Sequence, residues 1–386
     1  MADRLKVVPS VGLMHCGFVL TGLGTALLGP ILPLLTRQWH LSDAQSGLLL
    51  LAQFCGAFTG GVSVSRHLYR SLLAGLAAAA AGFGIFAAAP GLAIACLGLF
   101  AGGFGLGRII ASTNIIAGRR YTEHRGSALA LLNFSWSFGA MLSPLLAAWL
   151  TPRFSLREML LCFAGLFMMV CTAVFIQGMP SIQRTSIGEE TRGEETSSSE
   201  RLALRSFAFF MTLLLLYGGV ETCLSGWLTT YTLRYGEKTL ALSEYTTLLL
   251  WMSLTIGRAG SSLIMLKIGE KTAQRWSLAL MVTFILGLAM AHSAAGIAVF
   301  TILLGLSLAP FFPATFALLM AKRPAARQAG VVLAVSGLGA AVLPWLMGVV
   351  STRTGSLQLA LGLPLAAAVV LLVMSLWSGN NRGLAS

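Results

Sequence analysis

Twelve stretches of nearly unbroken apolar residues follow one another along the chain, at roughly 9–36, 44–63, 71–89, 93–118, 127–150, 157–179, 207–234, 242–266, 274–292, 295–320, 328–351 and 357–378. Each is near the ~20 residues that a helix needs to cross ~30 Å of hydrocarbon. None alternates apolar and polar positions with period two, as a lipid-facing strand does, so the runs are read as helices rather than barrel strands. The expected fold is an all-α membrane protein with twelve transmembrane helices. The first run follows Met1-Ala-Asp-Arg-Leu-Lys6 and superficially resembles a signal peptide, but it is too long for the apolar core of one and has no convincing cleavage site.

The longest polar interruption divides the chain. Residues 180–206 include Gly188-Glu-Glu-Thr-Arg-Gly-Glu-Glu-Thr-Ser-Ser-Ser-Glu200, a composition that cannot bury a core and reads as a flexible linker. The predicted organisation is a six-helix bundle over 1–179, a linker over 180–206 and a second six-helix bundle over 207–386. An internal copy supports the division. Gly139-Ala-Met-Leu-Ser-Pro144 in run 5 matches Gly339-Ala-Ala-Val-Leu-Pro344 in run 11 at an offset of 200 residues, and the pairs Gly105/Gly305 and Gly60/Gly260 keep that offset. Two parallel repeats joined by a long loop suit a rocking transporter with a cavity between its halves. Gly29-Pro30, Pro33, Pro144, Pro310, Pro313 and Pro344 mark places where helices bend or pack closely.

Composition agrees with the pattern: 56% hydrophobic residues, 10% charged residues and a mean hydropathy of +0.82 are too apolar for a soluble chain of 386 residues. Charge supplies an orientation. With the N-terminus in the cytoplasm, both termini and the cytoplasmic connections hold 18 Lys/Arg, the outer connections hold six, and Arg108 and Arg258 lie inside runs, which accounts for all 26. The positive-inside rule thus places both termini in the cytoplasm, and for a bacterial-type topology the address is the cell inner membrane. The net charge of +13 is read as a basic face against anionic lipid, not as a nucleic-acid surface. The six cysteines are scattered singly, with neither metal-ligand nor disulfide spacing.

Of the thirteen acidic residues, Glu221 alone is deep within an apolar run, in Tyr217-Gly-Gly-Val-Glu221-Thr-Cys-Leu-Ser-Gly-Trp227. Burying a carboxylate in hydrocarbon is costly, so by default it marks an ion or substrate path. Three roles are open: a proton or Na+ coupling site, a permanent acceptor for substrate hydroxyls, or the partner of an arginine. Arg108 in run 4 is the obvious candidate partner, and its alternative role is recognition of an anionic substrate. Arg258 lies nearer the cytoplasmic end of run 8, where its side chain can snorkel to the interface. The candidate ion-coupling residues are therefore Glu221 and Arg108. Planar amides, carboxylates and aromatic faces hold polyhydroxylated ligands. Gln53, Asn114, Asn133, Trp136, Tyr217, Glu221, Trp227 and Trp251 supply that set, with Tyr231 either a further member or an interface anchor.

Several motifs together resemble the major facilitator superfamily, and within it the branch of fucose and glucose symporters and sodium-dependent glucose transporter-like proteins. They are Gly29-Pro30-Ile-Leu-Pro33, Leu41-Ser-Asp-Ala-Gln45-Ser-Gly47, Gly105-Leu-Gly107 with Asn114, Leu132-Asn133-Phe with Phe138-Gly-Ala and Pro144, Tyr217-Gly-Gly-Val-Glu221 with Trp227 and Tyr231, Trp251 through Gly257-Arg258, and Pro310-Phe-Phe-Pro313. The likeness spans nearly the whole chain. It implies a monomeric secondary transporter that carries a monosaccharide by symport with H+ or Na+ and holds no cofactor. Two departures stand out. The loop between runs 2 and 3 reads Gly61-Val-Ser-Val-Ser65-Arg66-His-Leu-Tyr-Arg70, with Ser65 where the superfamily usually has Asp. The membrane-embedded acids that the fucose type carries in its N-terminal half are also absent, leaving His15 and Arg108 there. The alternative reading is an exporter of hydrophobic or amphipathic compounds by H+ antiport. No catalytic triad, His-Glu metal motif or phosphate-binding glycine loop argues for an enzyme.

Overall fold

The computed structural model describes residues 10–64, 67–120, 125–182, 204–236, 240–322 and 326–380. Every regular element among them is a helix: α1 (Val11–Ala26), α2 (Leu28–Gln38), α3 (Asp43–Val62), α4 (Leu68–Ala87), α5 (Leu92–Arg120), α6 (Arg125–Leu150), α7 (Leu156–Ile182), α8 (Leu204–Tyr235), α9 (Leu240–Ile268), α10 (Glu270–Met290), α11 (Ala294–Leu308), α12 (Phe311–Ala321), α13 (Ala326–Thr354), α14 (Leu357–Ala360) and α15 (Gly362–Asn380). Most of the expected linker, residues 183–203, lies outside the described residues.

Proline accounts for the breaks. Pro30 has no N–H for the Ala26 carbonyl, and α1 and α2 meet there at an angle of 42°. Pro310 separates α11 from α12 in the same way. Nine spans among the described residues are long and apolar enough to cross a membrane, and the bent α1–α2 pair makes a tenth. Of the twelve expected runs, α3 and α9 fall outside this set. Both are packed between the two groups of helices, α3 against α13 and α6 against α9, and bury Asp43, Ser46, Gln53, Ser253 and Ser261.

Pairings among α1–α7 recur among α8–α15. The α1–α6 contact has its counterpart in α8–α13, α3–α5 in α9–α11, and α4–α7 in α10–α15. Glycine lets two of these pairs approach. A Cβ at Gly139 on α6 would strike the Val19 carbonyl of α1, and one at Gly339 on α13 would strike the Leu215 carbonyl of α8. The third offset pair diverges, because Gly60 is pressed against Phe104 whereas Gly260 faces open space.

Hydrogen bonds identify the two ends of the bundle. Ser10 bonds Gln177 at 3.0 Å, the Tyr69 hydroxyl donates to the Val174 carbonyl at 2.7 Å, and Arg275 donates to the Ser375 carbonyl at 3.3 Å. These mark the linker end, where α7 stops and α8 starts. At the opposite, far end the Gln358 N–H donates to the Tyr235 hydroxyl at 3.3 Å, and the start of α3 meets the ends of α8 and α13.

Gly139→Ala and Gly339→Ala should each destabilise the protein by ~1–3 kcal/mol, the usual cost of overpacking. Gly260→Ala should leave it unchanged, as read from thermal unfolding midpoints in detergent.

Candidate substrate and coupling site

Glu221 lies near the middle of α8, and its partner comes from the neighbouring helix. Arg258 on α9 donates from Nη2 to Glu221 Oε1 at 3.3 Å. Hydroxyl pairs hold the two helices in register, Thr229 with Thr247 at 2.8 Å and Thr232 with Thr246 at 2.9 Å. Counted from the far end, Glu221 is 14 residues into α8 and Arg258 is 18 residues into α9. The four-residue offset is about 6 Å along the axis, which an arginine side chain spans by reaching back along its helix. The interior position of Arg258 corrects the expectation that it would snorkel to the interface. A carboxylate within reach offsets the loss of hydration, so the guanidinium turns inward.

Arg258 has a second partner in the other group of helices, donating from Nη1 to Ser137 Oγ of α6 at 2.9 Å. The neighbouring α6 residue, Trp136, meets Trp251 of α9 edge to face, with ring centroids 5.7 Å apart. Both indole N–H groups are enclosed and have no acceptor among the described residues. Two orphan donors at one seam are a feature that a ligand with acceptor oxygens would satisfy. The Glu221 and Arg258 side chains keep 17% and 25% of their accessible surface, so the pair is not fully closed off.

The other expected site residues divide by what already holds them. Gln53 is buried on α3, and its Nε2 donates to the Gly24 carbonyl at 3.0 Å and the Thr25 carbonyl at 3.2 Å, while Oε1 is unpartnered. Tyr217 stacks on Phe311 at 4.6 Å and donates to the Leu308 carbonyl at 3.1 Å. Trp227 donates to the Pro344 carbonyl at 3.0 Å, and Tyr231 donates to the Leu288 carbonyl at 3.0 Å. These three buried aromatics tie α8 to its neighbours, and Tyr231 is no interface anchor. Asn133 has an exposed position on α6.

Arg108 does not pair with Glu221. Its guanidinium donates to Ser63 Oγ at 3.1 Å, Ser71 Oγ at 3.2 Å and the Ser71 carbonyl at 3.4 Å, beside the Phe104 ring. Ser63 caps the end of α3 and Ser71 is in the first turn of α4, so Arg108 stands at the level of the α3–α4 turn. The α5 helix continues as an apolar run past that level, to Ala117. Asn114 is six residues further on, about 9 Å closer to the linker end, and its amide donates to its own helix at the Ile110 carbonyl. Neither residue joins the group around Glu221.

A second ion pair escaped the sequence reading. Asp43, the first residue of α3, accepts from Arg234 of α8 at 2.5 and 2.7 Å and from the Ser351 hydroxyl of α13. Asp43 belongs to the Leu41-Ser-Asp-Ala-Gln45 segment that leads into α3, where Ser42 and Gln45 form a capping box. Nothing in the local pattern shows that α8 and α13 close over it.

The chain matches the family model described as Major Facilitator Superfamily over residues 14–332. It is 24% identical over 382 residues to the Saccharomyces cerevisiae protein called Bypass of stop codon protein 6, a match covering 88% of this chain and 76% of that one. Among solved structures, it is similar to the E. coli fucose:proton symporter FucP, with 17% identity and a TM-score of 0.61 over 95% of this chain and 97% of that one. It is also similar to the E. coli xylose transporter XylE in a partially occluded inward open conformation, with 12% identity and a TM-score of 0.73 over 96% and 98% of the two chains. At these identities the structural likeness is one of fold.

Removing one partner of a buried pair strands the other charge. Arg258→Gln should therefore cost about 3 kcal/mol, the low end of the range because the pair keeps some exposure. The Glu221→Gln/Arg258→Gln double variant should recover most of that loss. Arg108→Gln strands no acid among the described residues and should cost less than Arg258→Gln. Thermal midpoints of the four proteins in one detergent check all three expectations.

Proposed function

The chain belongs to the major facilitator superfamily of membrane transporters, and from that premise we propose that it is a secondary transporter of a small polar solute, with a monosaccharide the best fit. In this reading the chain crosses the membrane twelve times as two six-helix bundles, over 1–179 and 207–386, with both termini and the linker in the cytoplasm. The inner membrane is its location, and one chain is the working unit.

The observation that carries the proposal is the seam at Trp136, Trp251, Glu221 and Arg258. A hydroxyl-rich, uncharged solute offers acceptor oxygens to the two indole N–H groups and C–H faces to the rings. It also pairs with a site whose own charges already cancel: an anionic substrate would have to compete with Glu221 for Arg258. FucP and XylE, similar in fold, are named for fucose and xylose.

Coupling follows from the same pair. While Glu221 is ionised, Arg258 is held between it and Ser137, which ties α9 to α6 across the two groups. A proton or Na+ on Glu221 removes the counter-charge and frees the guanidinium to change partners, so ion occupancy biases the seam between two arrangements. With the linker end in the cytoplasm, the contacts at the far end close the outer face.

Uptake of labelled hexoses and pentoses into proteoliposomes, with and without a proton or Na+ gradient, tests this reading. The wild type should accumulate one sugar, Glu221→Gln should equilibrate it without accumulation, and Trp251→Phe should raise KM about fivefold through loss of one hydrogen bond. If no sugar enters under any gradient, the sugar reading fails and outward transport of amphipathic compounds takes its place.

A further inference from the structure

We propose that Asp43, Arg234 and Ser351 form a latch between the two groups of helices, and that making and breaking it gates solute access at the far end. The inference rests on the alternating-access reading and adds the gating contact to it.

Three features distinguish this cluster from an ordinary surface ion pair. First, its geometry is bidentate, with Arg234 Nη2 at 2.5 Å from Asp43 Oδ1 and Nη1 at 2.7 Å from Oδ2, while the Ser351 hydroxyl donates to Oδ2 as well. Beside it the Ala44 N–H donates to Thr352 Oγ1 at 2.8 Å. Every bond in this set joins α3, from the first group, to α8 or α13, from the second. Second, the cluster caps a close backbone seam. Asp43, Gly47 and Leu50 form one stripe of α3 at i, i+4 and i+7. Gly47 lies against Trp345 of α13, Leu50 lies against Gly226 of α8, and Gly348 of α13 leaves no room for a Cβ beneath the Asp43 carbonyl. Third, the charges are set up to separate as well as to join. Asp43 sits at the positive start of α3 and Arg234 in the negative last turn of α8, so each ion is stabilised by its own helix when unpaired. Arg234 keeps 37% of its side-chain surface, so water reaches the guanidinium as the pair parts.

The result is a contact strong enough to hold the far end shut and open enough to be released. Glu221 and Arg258 differ in this respect, since both belong to the second group and stay together as the groups move. Rocking that opens the far end must draw α3 away from α8 and α13, which breaks the Asp43 contacts.

The test uses the full-length protein in liposomes, with Leu50→Cys as a reporter beneath the latch. A membrane-impermeant maleimide is applied, and labelling is read peptide by peptide so that the native cysteines serve as internal controls. Asp43→Asn and Arg234→Gln should each raise the Leu50→Cys labelling rate about tenfold, the scale of one lost charge-assisted contact. The exchanged pair, Asp43→Arg with Arg234→Asp, should return it toward the starting rate. Single variants that lower the thermal midpoint without raising labelling make the cluster a static staple and overturn the proposal. Raised labelling that the exchanged pair does not reverse overturns it too. Neither result depends on which solute is carried: a working latch in a protein that takes up no sugar would leave the gate intact and remove only the sugar reading.

Discussion

A charge can stay in the low-dielectric interior only when an opposite charge and hydrogen-bonding groups replace the water it gave up. The arrangement of this protein follows from that constraint at two places. Glu221 lies near the middle of α8 and is compensated by Arg258, and Asp43 is enclosed at the far end and compensated by Arg234. Arg108, which has only neutral oxygens around it among the described residues, stands where the α3–α4 turn brings the chain to the end of the bundle.

The two ion pairs divide the mechanical work. Glu221–Arg258 is internal to the second group and reaches across to Ser137, so its protonation state acts on the seam without dismantling either bundle. Asp43–Arg234 bridges the groups and has to be undone whenever they separate at that end. Glycine makes both arrangements possible, because α3 approaches α13 through Gly47 and Gly348, and α1 and α8 approach α6 and α13 through Gly139 and Gly339. Close helix contact is what brings short side chains such as Ser137 and Ser351 within reach of a charge.

Helix packing also decides which polar residues remain free for a solute. Tyr217, Trp227 and Tyr231 look like ligand-binding residues in the sequence, yet each donates to a neighbouring helix carbonyl, and the Tyr217 hydroxyl also faces Glu221 and Arg258. Trp136 and Trp251 carry the same chemistry and have unspent donors. The difference is positional: the first three lie at contacts within the second group, and the last two face one another between groups.

Much of this protein was legible in the sequence because the membrane imposes a one-dimensional rule. Run length and apolarity predict spanning helices, a lone carboxylate in such a run calls for a compensating partner, and the offset-200 glycines predict repeated packing, which holds for Gly139 and Gly339. Tertiary structure decided the partners. Hydropathy does not register where the turns of neighbouring helices lie, so it does not show that Arg108 meets Ser63 and Ser71 at the α3–α4 turn. It also does not register which helices lie side by side, so it pairs neither Arg258 with Glu221 nor Asp43 with Arg234. An ion pair is set by distances between helices, and those depend on how the whole set of side chains packs, which no local pattern contains.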